Sequence, residues 1–418
     1  MGHTVREIIV RTLDKVTPGT SRSIAWEFGI ALVSFPASVL LNRTLGAEDR
    51  GLLALVVLVP TTIFVVGSCQ WDRLLQGLIT SKHSSSREIW RQTKYYSFWL
   101  SLIFVPFSIV CSLFYTQIPL DNRWLSMLYS LNFPIYFLCG CLASIYIASG
   151  NIDGQYWMRI ALQGSYLIFS LGCWLTHTLS VQSMIAIYII MHLASLVAGW
   201  RWIDRLLDGE IRVEIVPPIT PLIKAFPPYL LESFSSRIDI WLLSLFTSLV
   251  TLGQYSGITA LMMPVGLLSN AMTSASTARL DWQDSIAVEK YLYRTLVALS
   301  ILLFILALGG ISLGPYFLNL ILGETFSRGT WMIPWIAAIV VTQAAAFQFH
   351  AALRLKGNSD TYLMIQSIEP FIKLCITFIL GWKLAEIGIF LGLIVSSILK
   401  IGICFMGHRF SRENKNLA

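Results

Sequence analysis

The 418-residue chain is 55% hydrophobic and only 13% charged, with a mean hydropathy of +0.68. A soluble domain carries nearer a quarter charged residues. At about 20 apolar residues per span, the composition instead accommodates roughly eleven or twelve transmembrane helices and leaves no room for a separate soluble domain. The formal net charge of +7 is spread over many loops instead of forming one patch, which argues against nucleic-acid binding.

In chain order, residues 1–20 lack the long apolar core and the A-x-A site of a cleavable signal. Val5, Ile8, Ile9, Leu13 and Val16 fall at helical spacing, which fits a short helix lying on the inner membrane surface, and a frayed basic tail fits as well. Apolar runs then predict twelve spans, near 23–41, 51–69, 95–116, 124–148, 160–178, 181–200, 227–249, 254–275, 295–318, 331–353, 362–380 and 386–406. Pro36, Pro60, Pro106, Pro134, Pro264 and Pro334 interrupt them and free carbonyls that neighbouring helices or a water-lined interior must satisfy. The seven cysteines sit mainly in apolar runs without metal-like spacing, so they read as small core residues.

Positive charge orients these spans. With the N-terminus in the cytoplasm, 23 of the 30 Lys and Arg fall inside, from Arg6 and Arg22 through Arg73 and Arg159 to Lys400 and Arg409. Only Arg43, Arg50, Arg123, Arg328 and Lys383 fall outside, and Arg237 and Lys373 lie within spans. Such a bias places both termini in the cytoplasm.

Compared with itself at an offset of 206 or 207 residues, the chain repeats. Leu45-Gly46 meets Leu252-Gly253, Gly51 meets Gly257, Arg73-Leu74 meets Arg279-Leu280, and Trp124 meets Trp331. The turn Gly150-Asn151 with Asp153 meets Gly357-Asn358 with Asp360. Each copy holds six spans, an even number, so both enter the membrane the same way up. The fold expected is therefore all-α and polytopic, with twelve helices in two parallel-repeat six-helix bundles around a central cavity. The bundles are expected at 1–200 and 227–418, the second ending in a cytoplasmic tail, joined by a charged and proline-rich cytoplasmic linker at 201–226.

Ionisable groups inside spans cost about 2.5–3.5 kcal/mol on insertion scales and mark protein-facing or watery positions. They fall at Glu27 in span one, at Glu232, Arg237 and Asp239 in span seven, and at Glu369 and Lys373 in span eleven. Glu27 and Glu232 are separated by nearly the repeat offset, as a symmetric pair facing one cavity would be. Glu369 and Lys373 are four apart, so an intrahelical ion pair is the competing structural explanation. Arg237 and Asp239, two apart, cannot share a face of one straight helix, so at least one must meet another group. Arg22 stands at the inner mouth of span one, where snorkelling is the ordinary role of an arginine. His192 and His350 read as packed or hydrogen-bonded core residues. Glu48 and Asp49 read as solvation of a short outer turn.

No H-E-x-x-H, G-x-S-x-G or phosphate-binding loop is present, and neither an ATPase domain nor a sizeable outer domain fits. The expectation is a non-enzymatic membrane protein without a cofactor or metal.

Several stretches together resemble a known family. Arg43-Thr-Leu-Gly46 before Gly51-Leu-Leu-Ala-Leu55, and Arg237-Ile-Asp239 before Leu252-Gly253-Gln254-Tyr255, resemble the two half-repeat openings of the polysaccharide transporters, the Wzx-type flippases. Gly314-Pro315 through Leu322-Gly323-Glu324 and Phe326 resembles their outer turn after the ninth span. The resemblance covers nearly the whole chain. It implies membership in the multidrug/oligosaccharidyl-lipid/polysaccharide exporter superfamily. It also implies a flippase of the bacterial inner membrane, moving an undecaprenyl-pyrophosphate-linked oligosaccharide outward by alternating access. The peptidoglycan-precursor flippases of that superfamily carry arginines in the first two helices and two extra spans, and this sequence departs on both points. An O-antigen, capsule or exopolysaccharide unit is therefore the expected cargo, with a polymerase and glycosyltransferases as the expected partners.

On this expectation Arg237, with Arg22 and Lys373 behind it, would pair with the pyrophosphate. Glu27, Glu232, Asp239 and Glu369 are the candidates for coupling to a proton or sodium gradient, with the membrane potential assisting. The alternative is a small-solute or multidrug secondary antiporter. Asp72-Arg73 after span two is reminiscent of a major facilitator, but Leu74-Leu75-Gln76-Gly77 replaces the residues expected next. A scaffold that recruits glycosyltransferases without transporting anything is the third possibility.

Overall fold

The computed structural model describes residues 20–69, 71, 75, 86–149, 151–206, 227, 229–262, 285–355 and 359–417. Among these the regular secondary structure is all helical, with short turns between the helices. Helix α1 runs Thr20–Gly67, α2 Ser86–Phe114, α3 Arg123–Ser130, α4 Phe133–Ala148, α5 Ile152–Leu175 and α6 Val181–Leu206. Then follow α7 Ile238–Phe246, α8 Leu249–Leu261, α9 Ser285–Leu322, α10 Met332–Leu355 and α11 Ser359–Leu417. The expected all-α class holds, but the predicted spans are not cut into twelve separate helices.

Two helices are too long to be single spans. The apolar stretches Ala25–Gly67 and Met364–Met406 are each 43 residues, about 65 Å of helix against a hydrocarbon core of about 30 Å. Each is broken where the sequence predicts an outer loop: α1 at Gly46, with φ 72°, and α11 at Ala385, with φ 48°. In α11 the halves pack as an antiparallel hairpin. A Cβ at Gly388 would collide with the Leu380 carbonyl, and one at Gly392 would lie 2.5 Å from the Thr377 Cα. Ile89–Phe114, Val181–Arg201 and Met332–His350 are also long and apolar enough to span a bilayer. The fourth predicted span is a bent pair, Leu120–Ser130 and Phe133–Ala148, meeting at 43°. Rows of uncovered side chains such as Phe98, Trp99, Leu102, Ile103 and Phe107 on α2 belong against lipid. This is a multi-pass membrane protein.

The chain divides into two compact units, Pro36–Gly253 and the remainder, Met1–Phe35 with Gln254–Ala418. Most of the expected 201–226 linker lies outside the described residues. In the first unit α2 packs on α3 and α4, α4 on α5 and α6, and α5 on α6. Close approaches depend on glycine: Gly199 admits the Met158 sulfur and Gly154 the Tyr146 ring. The glycines of the resembling motifs have a definite task here. A Cβ on Gly51 would run into the Leu249 carbonyl and one on Gly253 into the Ala47 carbonyl, so the two backbones cross in direct contact.

In the second unit α9 packs on α10 and α10 on α11. The core is alkyl and alanine-rich: Val288, Leu292, Phe349, Ala352, Ile365 and Cys404 form one cluster, and Leu299, Val341, Ala344 and Ala345 another. Both units contain the same local succession. A long helix carrying an internal proline, Pro106 in α2 or Pro315 in α9, leads to a 3-10 turn, Leu120–Asn122 or Glu324–Gly329. A further helix opens just beyond each turn, beside the exposed Trp124 or Trp331. Asn151 caps α5, its side chain accepting from the Gly154 N–H at 3.2 Å, and its repeat counterpart Asn358 lies outside the described residues.

Candidate functional site

Span seven, expected as one straight helix over 227–249, is broken. Residues 229–235 are helical, the chain turns at Ser236 and Arg237, and α7 begins at Ile238 with Arg237 as its cap (φ −123°, ψ 16°). Backbone bonds tighten the turn, Ser236 N–H to Glu232 O at 2.8 Å and Arg237 N–H to Phe234 O at 3.2 Å. Hydroxyls satisfy freed carbonyls around it: Ser233 Oγ donates to Tyr229 O and Ser236 Oγ to Ser233 O, both at 2.7 Å. The break resolves the spacing problem of Arg237 and Asp239. Asp239 sits in the first turn of α7, where the helix dipole favours an acidic side chain.

Arg237 is half-buried, and among the described residues no carboxylate lies within ion-pairing distance of it. Its position is fixed by α7. Trp241 Nε1 donates to Thr62 Oγ1 at 3.3 Å, Tyr115 OH and Ser244 Oγ are 2.5 Å apart, and the Trp241 and Tyr115 rings meet edge to face at 5.0 Å.

An aromatic array lies in the same unit and includes the buried Tyr129. The Tyr129 ring lies 6.2 Å from Tyr188, and Tyr188 stacks on Tyr166 at 6.0 Å. Phe64 links a branch, 5.6 Å from Tyr129 and 5.3 Å from Tyr136, and Tyr136 meets His192 edge-on at 5.6 Å. His192 is buried, its Nδ1 2.6 Å from the Tyr188 carbonyl and 3.1 Å from Asn132 Nδ2. A cavity of about 290 Å³ adjoins the branch, with Ser68, Tyr136, Gln155, Arg159, His192 and Tyr229 in its wall. Three phenol rings in series offer faces on which sugar rings could stack.

The other expected residues are placed differently. Glu369 is buried, but its partner is Lys400 Nζ at 2.9 Å, not the Lys373 four residues on. The hairpin explains this: Glu369 and Lys400 lie about equally far along the chain from the Ala385 break, so antiparallel packing brings them level. Lys373 is half-buried and has other interactions. Glu27 and Glu232 are half-buried, have interaction partners, and belong to different compact units. Arg22 lies in α1 with its side chain outside the description.

The tyrosines and Arg159 were not singled out by the sequence. In a chain that is 12% aromatic no single ring stands out. The usable signal was tyrosine as opposed to phenylalanine in mid-span, where a hydroxyl needs a partner that lipid does not provide.

No protein-family model matches the sequence, and no characterised relative matches it either. Solved structures do resemble it. An inward-facing multidrug resistance MATE family transporter of the MOP superfamily superimposes with a TM-score of 0.68 at 12% identity, covering 93% of this chain and 99% of that one. The lipid II flippase MurJ in an inward closed conformation gives 0.64 at 15% identity, covering 92% and 87%. A MOP superfamily transporter from Pyrococcus furiosus, described as having a binding pocket of reverse polarity, gives 0.66 at 12% identity, covering 94% and 96%. The fold is therefore that of the MOP superfamily transporters.

Proposed function

We propose that the chain is a flippase that carries an undecaprenyl-pyrophosphate-linked oligosaccharide, an O-antigen, capsule or exopolysaccharide unit, from the inner to the outer leaflet by alternating access. The observation that carries this proposal is Arg237. It is a half-buried guanidinium at a helix break within a span, without a carboxylate partner among the described residues, in the same unit as a tyrosine array.

A glycan and a pyrophosphate do not cross hydrocarbon unaided, whereas the polyprenyl tail stays in lipid, so the protein need only shelter the head. Arg237 would hold the pyrophosphate through its planar donor fork, with Arg22 and Lys373 as further cations. Tyr129, Tyr188 and Tyr166 would stack on sugar rings. Moving about two negative charges outward gains roughly 4.6 kcal/mol per 100 mV, interior negative. Glu27, Glu232 or Asp239 would couple the return step to protons or sodium. Glu369 is the weakest member of that group because Lys400 already neutralises it.

The proposal includes a bacterial inner-membrane location with both termini in the cytoplasm, two six-helix repeat bundles at 1–200 and 227–418, a transport role without catalysis or cofactor, and polymerase and glycosyltransferase partners. Deleting the chain in its host should leave lipid-linked oligosaccharide accumulating on the cytoplasmic leaflet. Unchanged surface glycan together with dye retention raised on deletion would instead favour the multidrug antiporter, the alternative that the fold shared with MATE transporters supports.

A further inference from the structure

The apolar spans Ile89–Phe114 and Val181–Arg201 bring the start of α2 and the end of α6 to one end of their unit, and a cation is held there between two indole rings. Lys94 Nζ lies 5.4 Å from the centre of the Trp200 ring and 6.0 Å from that of Trp90, and the two rings meet edge to face at 5.4 Å. Trp90 is buried, whereas Trp200 and Lys94 reach the surface.

A lysine at the edge of a span ordinarily snorkels, with its head loose in water. This head is steered instead, by Trp90 one turn before it on α2 and by Trp200 on α6. Among the described residues its partners are these rings, and none is a carboxylate. Neither apolar span contains an acidic residue, and the side chains of the flanking Glu88 and Asp204 lie outside the described residues. Attraction to a ring is electrostatic, and near its outer range of about 6 Å it leaves the ammonium N–H donors open to oxygen acceptors. Arg201, next to Trp200, is a second exposed cation at the same end of α6.

The surface beyond Lys94 indicates what those donors meet. Tyr95, Phe98, Trp99, Leu102, Ile103 and Phe107 are all uncovered on α2. Charge first, then tyrosine and tryptophan, then alkyl groups and phenyl rings is the order of polarity met on passing from lipid headgroups into acyl chains. From Tyr95 to Phe107 the helix rises about 18 Å, roughly the hydrocarbon depth of one leaflet. A free phosphate would use only the first part of this surface. A zwitterionic headgroup would bring its own cation against Lys94.

We propose that the adjoining ends of α2 and α6 bind one anionic glycerophospholipid, with its phosphodiester on Lys94 and its acyl chains along Tyr95, Phe98 and Leu102. Trp90 and Trp200 position the ammonium, and Arg201 adds to the positive field. The inference is independent of the transported cargo, because this surface faces lipid. With both termini in the cytoplasm, as proposed above, the lipid belongs to the inner leaflet, where basic clusters beside spans meet anionic headgroups.

The test is native mass spectrometry of the full chain titrated with dioleoyl-phosphatidylglycerol or dioleoyl-phosphatidylcholine. The anionic lipid should bind about fivefold more tightly, and Lys94→Gln should remove that preference. Lys94→Arg should keep most of it. Trp200→Leu, which keeps every charge, should lower it about threefold, and these two variants carry the test if the glutamine variant does not fold. Arg328→Gln, at an exposed cation in the other compact unit, should leave it unchanged. Equal affinity for the two lipids, a preference indifferent to Lys94→Gln and Trp200→Leu, or an equal fall with Arg328→Gln would overturn the assignment. Glycerol phosphate, which has the headgroup charge and no chains, should bind far more weakly, and binding as tight as that of the lipid would overturn a lipid as the occupant.

Discussion

The two compact units treat charge in opposite ways. In Pro36–Gly253 a helix is broken at Arg237, no carboxylate answers the cation among the described residues, and the same unit holds a tyrosine array and a cavity. In the unit built mainly from Gln254–Ala418, Glu369 and Lys400 cancel one another at 2.9 Å within an alkyl and alanine core. Sequence reasoning ranked Arg237 first as a phosphate ligand and left Glu369 between an ion pair and a coupling role, because an ionisable residue inside a span reads the same whether it is paired or waiting for a ligand. What separates them is the partner. A satisfied pair contributes to the architecture, and a cation with no carboxylate partner among the described residues is the one proposed to meet a ligand.

The contrast is broken most severely by removing one member of the pair. Lys400→Ala leaves Glu369 buried and alone, a change expected to cost about 3–5 kcal/mol. Thermal unfolding of the purified protein should show a large loss for this variant. The double variant Glu369→Gln with Lys400→Met should recover most of it, and it should retain transport if the pair is architectural. A dead but stable double variant would move Glu369 into the coupling machinery.

Next in size, Gly253→Val forces a side chain into the Ala47 carbonyl and is expected to cost about 1–3 kcal/mol as overpacking, with Gly51→Val similar. Gly309→Val, at a glycine with open space around it, is the matched control in the other unit and should change the melting temperature little. Equal losses at Gly253 and Gly309 would remove the backbone crossing from the account.

The smallest effect is expected at Trp241→Phe. It removes the hydrogen bond to Thr62 and should cost about 1 kcal/mol, while loosening α7 enough to reduce transport. A variant with full stability and full transport would show that Arg237 is positioned by other contacts.

Much of the scaffold was legible because lipid makes strong demands on sequence. Apolar length predicted the spans, and Gly46 and Ala385 fall at or beside predicted outer turns. The paired glycines of the resembling motifs turned out to be crossing points of backbone. Pairing was not legible. An i, i+4 spacing made Lys373 the visible partner of Glu369, whereas the true partner, Lys400, becomes a neighbour only once α11 folds at Ala385. The break at Ser236 and Arg237 was hidden as well, since no glycine or proline marks it and serine hydroxyls satisfy it locally. The tyrosine array assembles Tyr129, Tyr166 and Tyr188 from three helices, so no spacing along the chain announces it.

The central claim, that Arg237 grips a pyrophosphate, is tested most directly by flipping of a fluorescent polyprenyl-pyrophosphate-linked oligosaccharide in proteoliposomes containing the Arg237→Ala and Arg237→Lys variants. The alanine variant should fold, reconstitute and fail to flip, and the lysine variant should flip slowly, because an ammonium lacks the two-donor fork. Flipping by the alanine variant at the rate of the unaltered protein would contradict the account.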